Sequence, residues 1–151
     1  MSRRLSALLL ASSLVIATIT SADEVSAPDP AVGKLVVVSV GLEKNQGSVM
    51  IRLANDEADF EADDEAFRSA TVKVEDKRAV AVFEDVPHGE YAIKVFHDEN
   101  SNQKLDTNFV GMPKEKFGFS NNALGRFGPP SYEQARFRFD AEEATVEIDM
   151  R

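Results

Sequence analysis

Apolar residues of this chain recur at every second position in short runs, a spacing that suits strands and little else. Residues 34–42 set Val36, Val38, Val40 and Leu42 on one face and Leu35 and Val37 on the other, as a central strand would. Residues 47–54 turn Val49, Ile51 and Leu53 one way and Ser48, Met50 and Arg52 the other. Residues 70–74 and 79–83 flank the polar turn Glu75-Asp76-Lys77-Arg78 and are expected to form a hairpin. Residues 90–97 alternate Tyr91, Ile93 and Val95 with Lys94, and residues 135–139 alternate Ala135, Phe137 and Phe139 with Arg136 and Arg138. Near the end, Val146, Ile148 and Met150 alternate with Glu147 and Asp149. No run keeps a helical period. A single helical turn is expected after Pro129-Pro130, where Ser131 and Gln134 have the spacing of a capping box. Each half-apolar sheet must bury one face, so the expected fold class is all-β, a sandwich of seven antiparallel strands in two sheets.

The beginning of the chain reads as an export signal. Arg3 and Arg4, an apolar stretch over residues 8–19 and the small residues Thr20-Ser21-Ala22 define a signal peptide over residues 1–22. The stretch is too short, and too interrupted by Ser and Thr, for a transmembrane helix, so no membrane insertion is expected after cleavage. No Cys follows to carry a lipid anchor. Residues 23–33, with Pro28 and Pro30, form a flexible lead-in, and residues 34–151 a single sandwich domain. Cleavage removes Arg3 and Arg4 and takes the net charge from −9 to −11, which disfavours nucleic acid and suits cations or basic partners. With no cysteine, stability must come from the core and from any ion the chain binds. The expected location is periplasmic or secreted.

Between residues 96 and 135 the strand pattern stops, and a gap of that length in a compact domain is functional or disordered. Its aromatics, prolines and glycines are unlike a disordered linker, so one long ordered loop is expected. The loop opens with an oxygen ladder. Asp98, Asn100, Asn102 and Asp106 stand at positions one, three, five and nine of a calcium-loop pattern, with the Lys104 carbonyl at seven. Position six carries Gln103 in place of glycine, and position twelve carries Phe109 in place of a bidentate glutamate. Glu115 is the candidate for the missing carboxylate. The expected cofactor is Ca²⁺, bound with a Kd on the order of 10⁻⁴ to 10⁻³ M. The competing reading is a loop of Asx turns in which Asp and Asn bond their own backbone. A second acidic stretch, residues 56–65, carries seven carboxylates and reads as a solvated loop rather than an additional cation site.

The segment Phe83-Glu84-Asp85-Val86-Pro87-His88-Gly89-Glu90-Tyr91-Ala92-Ile93 resembles the turn-into-strand element of transthyretin-like and carboxypeptidase-regulatory-like sandwiches. It is followed by His97-Asp98-Glu99-Asn100-Ser101-Asn102-Gln103-Lys104-Leu105-Asp106 and by Gly111-Met112-Pro113-Lys114-Glu115-Lys116-Phe117-Gly118-Phe119-Ser120-Asn121-Asn122. With these the chain closely resembles the exported bacterial proteins grouped as domain of unknown function 2141. The likeness spans residues 35–148 and is most specific over residues 83–137. It implies an immunoglobulin-like (transthyretin-like) sandwich outside the cytoplasm and supplies no activity. The family pattern often has Gly where this chain has Ser101 and Gln103. In the turn itself, Pro87, Gly89 and Tyr91 are expected to be structural, and His97 to anchor the base of the loop.

Residues 111–132 carry Phe117, Phe119 and Tyr132 among glycines and prolines, with Ser120, Asn121 and Asn122 beside them. They read either as a platform for an envelope protein or glycan, or as aromatics folded back to plug the sandwich. Catalysis finds little support. His88 and His97 are the only histidines, and a set built on His97 and Ser120 has no elbow or oxyanion hole marking it. The function expected is therefore an exported, non-catalytic module that binds Ca²⁺ in residues 98–106 and presents residues 111–132 for recognition. Its alternatives are a metal-free structural accessory protein of the envelope and, with least support, a hydrolase using His97 and Ser120.

Overall fold

A computed structural model describes residues 31–62 and 66–151, and the alternating runs become strands there. They are β1 (Val32–Val40), β2 (Ser48–Ala54), β3 (Arg68–Lys73), β4 (Ala79–Pro87), β5 (Gly89–Asp98), β6 (Phe117–Phe119), β7 (Phe137–Phe139) and β8 (Glu143–Asp149). The signal peptide, most of the lead-in, and Asp63, Asp64 and Glu65 of the acidic stretch lie outside the described residues. One sheet has the order β4-β1-β8, and the other runs β3-β2-β5, with both β6 and β7 on the remaining edge of β5. Leu35, Val37, Val49, Ile51, Leu53, Ala81, Phe83, Ile93, Val95, Phe139 and Ile148 fill the space between the sheets. The inward residues are those the alternation assigns.

Three expectations give way. The described residues form eight strands rather than seven, because Phe117–Phe119, inside the presumed loop, pairs with β5 as β6. The sandwich is not wholly antiparallel, since β8 runs parallel to β1, with Lys34 opposite Glu143 and Val40 opposite Asp149. The cause is the short crossover after β7. It leaves one sheet at the end where Phe139 meets Gly89 and enters the other beside the start of β1, where Lys34 N donates to the Glu142 carbonyl at 2.8 Å. Gly33 permits this approach, for a Cβ there would lie 2.2 Å from the Ala141 carbonyl oxygen. Finally, β3 and β4 are no hairpin. β3 pairs with β2 and β4 with β1, so Glu75-Asp76-Lys77-Arg78 is a corner between sheets, closed by one bridge from Glu75 to Arg78. Asp76 and Lys77 at its centre both have positive φ, 50° and 59°.

A smaller apolar cluster sits on the outer face of the larger sheet. There Ala54, Ala92, Phe119 and Ala135 pack with Phe60 of helix α1 (Glu57–Glu61), and Tyr132 of helix α2 (Tyr132–Ala135) closes over them. The capping box at α2 is formed. Gln134 N donates to Ser131 Oγ, and Ser131 N donates to Gln134 Oε1 at 3.0 Å. α1 arises in the stretch expected to be a solvated loop, because Asp56 caps it by accepting from Asp59 N at 2.8 Å. The Asp59 carboxylate in turn accepts from Phe67 N and Asn55 N, which fastens both ends of the connection.

Burial raises the Tyr91 hydroxyl above its ordinary value against a smaller opposing pull from Arg68, and burial likewise raises Tyr132. A raised tyrosine keeps its proton in the folded state where the unfolded chain has lost it. Stability is then full below about pH 10 and falls as the pH climbs through the raised values. Urea unfolding between pH 8 and 11 will show this fall. Tyr91→Phe with Tyr132→Phe will flatten it, even though the plateau drops.

Candidate functional site

The last inward residue of β5 fixes the base of the long loop. His97 is buried, its Nε2 lies 2.6 Å from the Gln46 carbonyl oxygen, and its Nδ1 is 3.7 Å from Glu99 Oε1. His97 N donates to the Lys116 carbonyl at 2.7 Å, so the loop leaves and returns at one point. Gly47, with φ +70°, lets the β1–β2 turn lie against this base, since a Cβ there would meet the Asp98 carbonyl oxygen at 2.2 Å.

Two buried carboxylates then close the loop on itself. Asp98 accepts from Asn102 N at 3.0 Å and Gln103 N at 2.8 Å. Glu115 accepts from Glu99 N and from Asp106 N, each at 2.9 Å. Between them, Asn100 Oδ1 accepts from Asn102 N and Asn102 Oδ1 from Lys104 N, while both amide nitrogens turn to the Asp106 carboxylate at 2.6 and 2.9 Å. Ser101 and Gln103 take left-handed conformations, φ 63° and 62°, at the positions where glycine suits such a loop. The tight turn is thus made without glycine. Each of these carboxylates therefore joins two backbone positions of the loop.

The structure therefore brings Asp98, Asn100, Asn102, Asp106 and Glu115 together, with Lys104 joined through its backbone. Glu115 is the carboxylate that reaches in from outside the ladder, and Phe109, at the closing position of the calcium pattern, is fully exposed. Their oxygens face backbone N–H groups and amide nitrogens. Among the described residues, no group of three or more acidic or histidine side chains is disposed to hold a metal ion.

The residues expected to form a platform are largely occupied in packing. Phe119 stacks at a tilt on Phe60, 6.1 Å between centroids, and Tyr132 meets Phe60 edge-on at 5.9 Å. Ser120 is buried, accepting from Ile93 N at 2.8 Å and donating to the Ala135 carbonyl at 2.6 Å. Asn121 donates to the Arg136 carbonyl at 2.8 Å, and Asn122 accepts from Asp149 N at 2.9 Å. Phe117 is half-buried beside Phe119. No hydrogen bond joins Ser120 to His97, so no nucleophile–base pair forms between them. In the turn before β5, the Tyr91 hydroxyl donates to the Pro87 carbonyl at 2.7 Å, and a Cβ on Gly89 would lie 3.4 Å from the Tyr91 ring.

A different surface is exposed. Asn108 Oδ1 accepts from both Val110 N and Met112 N at 3.0 Å, and Gly111 N donates to the Asn108 carbonyl at 2.9 Å. A bridge from Thr107 to Pro113 closes the turn below. This built tip holds Phe109 at 100%, Val110 at 67% and Met112 at 61% exposure, a density of exposed apolar side chains unusual for a loop. The signal was visible as three apolar residues around Gly111, but Phe109 drew notice only as a failed ligand.

Residues 36–147 match a family model described as uncharacterized protein conserved in bacteria (DUF2141). The chain belongs to that family. No curated protein and no solved structure matches it. The DUF2141 match runs from β1 into β8 and so takes in the loop, its tip and both buried carboxylates.

Two substitutions test how this DUF2141 loop is held. Glu115→Ala leaves two backbone N–H groups without their acceptor and will cost about 2–4 kcal/mol in urea unfolding. Gln103→Gly relieves the left-handed strain and will stabilise by about 1 kcal/mol in the same assay.

Proposed function

We propose that this is an exported, non-catalytic binding module that uses the sandwich as a rigid base for residues 98–116 and offers their tip to an envelope protein. The observation that carries this reading is the tip itself. Fully exposed Phe109, with Val110 and Met112, sits on a turn ordered by Asn108, so the apolar surface is held in place before any partner arrives. Aromatic and methionine side chains of this kind form the centres of protein interfaces. A glycan face stacked on Phe109 is the alternative occupant of the same tip. The non-catalytic reading rests on Ser120 and His97, whose side chains bond Ile93, Ala135 and Gln46 rather than each other. Export rests on the signal-like residues 1–22. The test is photo-crosslinking in cells from residue 109, with residue 77 in the β3–β4 corner as the control site. One discrete adduct from 109 and none from 77 supports the module. Equal labelling from both sites refutes it.

A second reading, calcium in residues 98–106, is favoured by left-handed Ser101 and Gln103 beside buried Asp98 and Glu115. Asp98, Asn100, Asn102 and Asp106 would supply the oxygens and Glu115 the closing carboxylate. Binding requires the amides of Asn100 and Asn102 to give up their bonds to Asp106. Melting of the mature protein in millimolar Ca²⁺ against EDTA decides between the two. A ligand at 100 times its Kd stabilises by about 2.7 kcal/mol, so saturation will raise Tm by several degrees. An unchanged Tm leaves the loop metal-free.

A further inference from the structure

Between the α1–α2 cap and the long loop, the outer face of the larger sheet holds a groove of about 540 Å³. Its floor is Phe96 and Phe117 with Phe119, and Gln103, Lys104, Leu105 and Thr107 of the loop form a wall. Arg52 and Lys94 also line it, and among the described residues no carboxylate does. In a chain of net charge −9, a concave surface to which the described residues bring Arg52, Lys94 and Lys104 and no acid is a local reversal.

The strand register makes the reversal sharper. Arg52 on β2 stands directly opposite Lys94 on β5, and like charges facing across a ladder destabilise it. Lys94 turns its ammonium to the Phe60 and Ala62 carbonyls at the end of α1. Among the described residues, Arg52 and Lys104 have no ion-pair partner. Asp98 lies on the same outer face, yet its carboxylate is turned to the loop backbone. Arg52 is thus a half-buried residue of a groove that Phe96 and Phe117 also line, with no ion-pair partner among the described residues.

We propose that this groove binds a small organic carboxylate with a flat apolar body. The carboxylate takes the fork of Arg52 and the charge of Lys104, and the body lies on Phe96 and Phe117 under the loop wall. Guanidinium and carboxylate match in two parallel hydrogen bonds, which favours this head group over a neutral amide. The volume lies within the range of small-molecule sites, and the mix of apolar lining with few polar groups is their usual make-up. The groove is separate from the Phe109 tip, so the two proposals can fail independently.

The experiment is titration of the mature protein with 2-naphthoate, followed by the probe's own fluorescence, against neutral 2-naphthamide. The chain has no tryptophan to obscure that signal. Saturable binding of naphthoate is expected, with the amide at least ten-fold weaker. Arg52→Gln is expected to weaken binding by about ten- to a hundred-fold, the loss of a charge-assisted pair. Thr107→Trp, on the exposed wall, will block the groove without touching the sheet, and Phe109→Ser will leave affinity unchanged. The proposal is overturned if naphthoate shows no saturation to millimolar concentration, if the amide binds equally, or if both Arg52→Gln and Thr107→Trp, folded by circular dichroism, bind like wild type.

Discussion

β5 needs a partner on both edges, and that single requirement organises everything after it. β2 covers one edge over seven paired residues. No long strand remains for the other, so it is completed in pieces, with β7 opposite residues 89–91 and β6 opposite residues 94–96. The Ile93 N–H falls in the gap between them, and Ser120 Oγ accepts from it in place of a strand carbonyl. The same hydroxyl donates its own hydrogen bond to the Ala135 carbonyl, joining the end of β6 to α2. Ser120 is therefore a ladder surrogate. A buried amide left without that acceptor would carry the cost of desolvation uncompensated.

Because β6 must lie at the centre of that edge, the chain between β5 and β6 cannot run straight back. It leaves at Asp98 and returns at Lys116, and the intervening residues stand off the end of the sheet with little core of their own. Asp98 and Glu115 substitute for that core. Each carboxylate binds two backbone N–H groups, so one end of the segment is fastened at Asn102 and Gln103 and the other at Glu99 and Asp106. Charge-assisted bonds of this kind are about twice as strong as neutral ones. The loop can then hold both the exposed tip and the wall of the groove in fixed places.

Much of this was legible in the sequence. The inward residues of β2 and β5 follow from period two alone, and the capping box at Ser131 from spacing, whereas on β1 alternation left open which face is inward and the structure buries Leu35 and Val37. Glu115 was found because a loop with an oxygen ladder lacked a carboxylate. The failures have physical causes. β6 is three residues long and contains Gly118, too short to show alternation. The pairing partners of β3 and β8 are set by which sheet each strand enters, a non-local choice that no local pattern encodes. The groove depends on β2, β5 and the loop meeting in space, so Arg52 looked like an ordinary outward residue of its strand. Phe117 and Phe119 read equally as platform or as plug, because burial on the outer face of a sheet leaves the same trace as exposure.

Net charge says little about how the individual charges of this molecule are partnered. Its acidic excess suggests affinity for cations, yet the carboxylates that matter most face inward, toward backbone N–H groups at Asp56, Asp59, Asp98 and Glu115. Each already has local N–H donors, which a bound cation would have to share or displace. Arg52 is in the opposite position, since its register neighbours are Lys94 and Ser69 and it has no ion-pair partner among the described residues. Unbalanced charge, rather than abundant charge, attracts a ligand, because only the unbalanced group gains a partner on binding. By that criterion the proposed carboxylate site turns on Arg52, and calcium in residues 98–106 on how readily Asn100 and Asn102 release the Asp106 carboxylate.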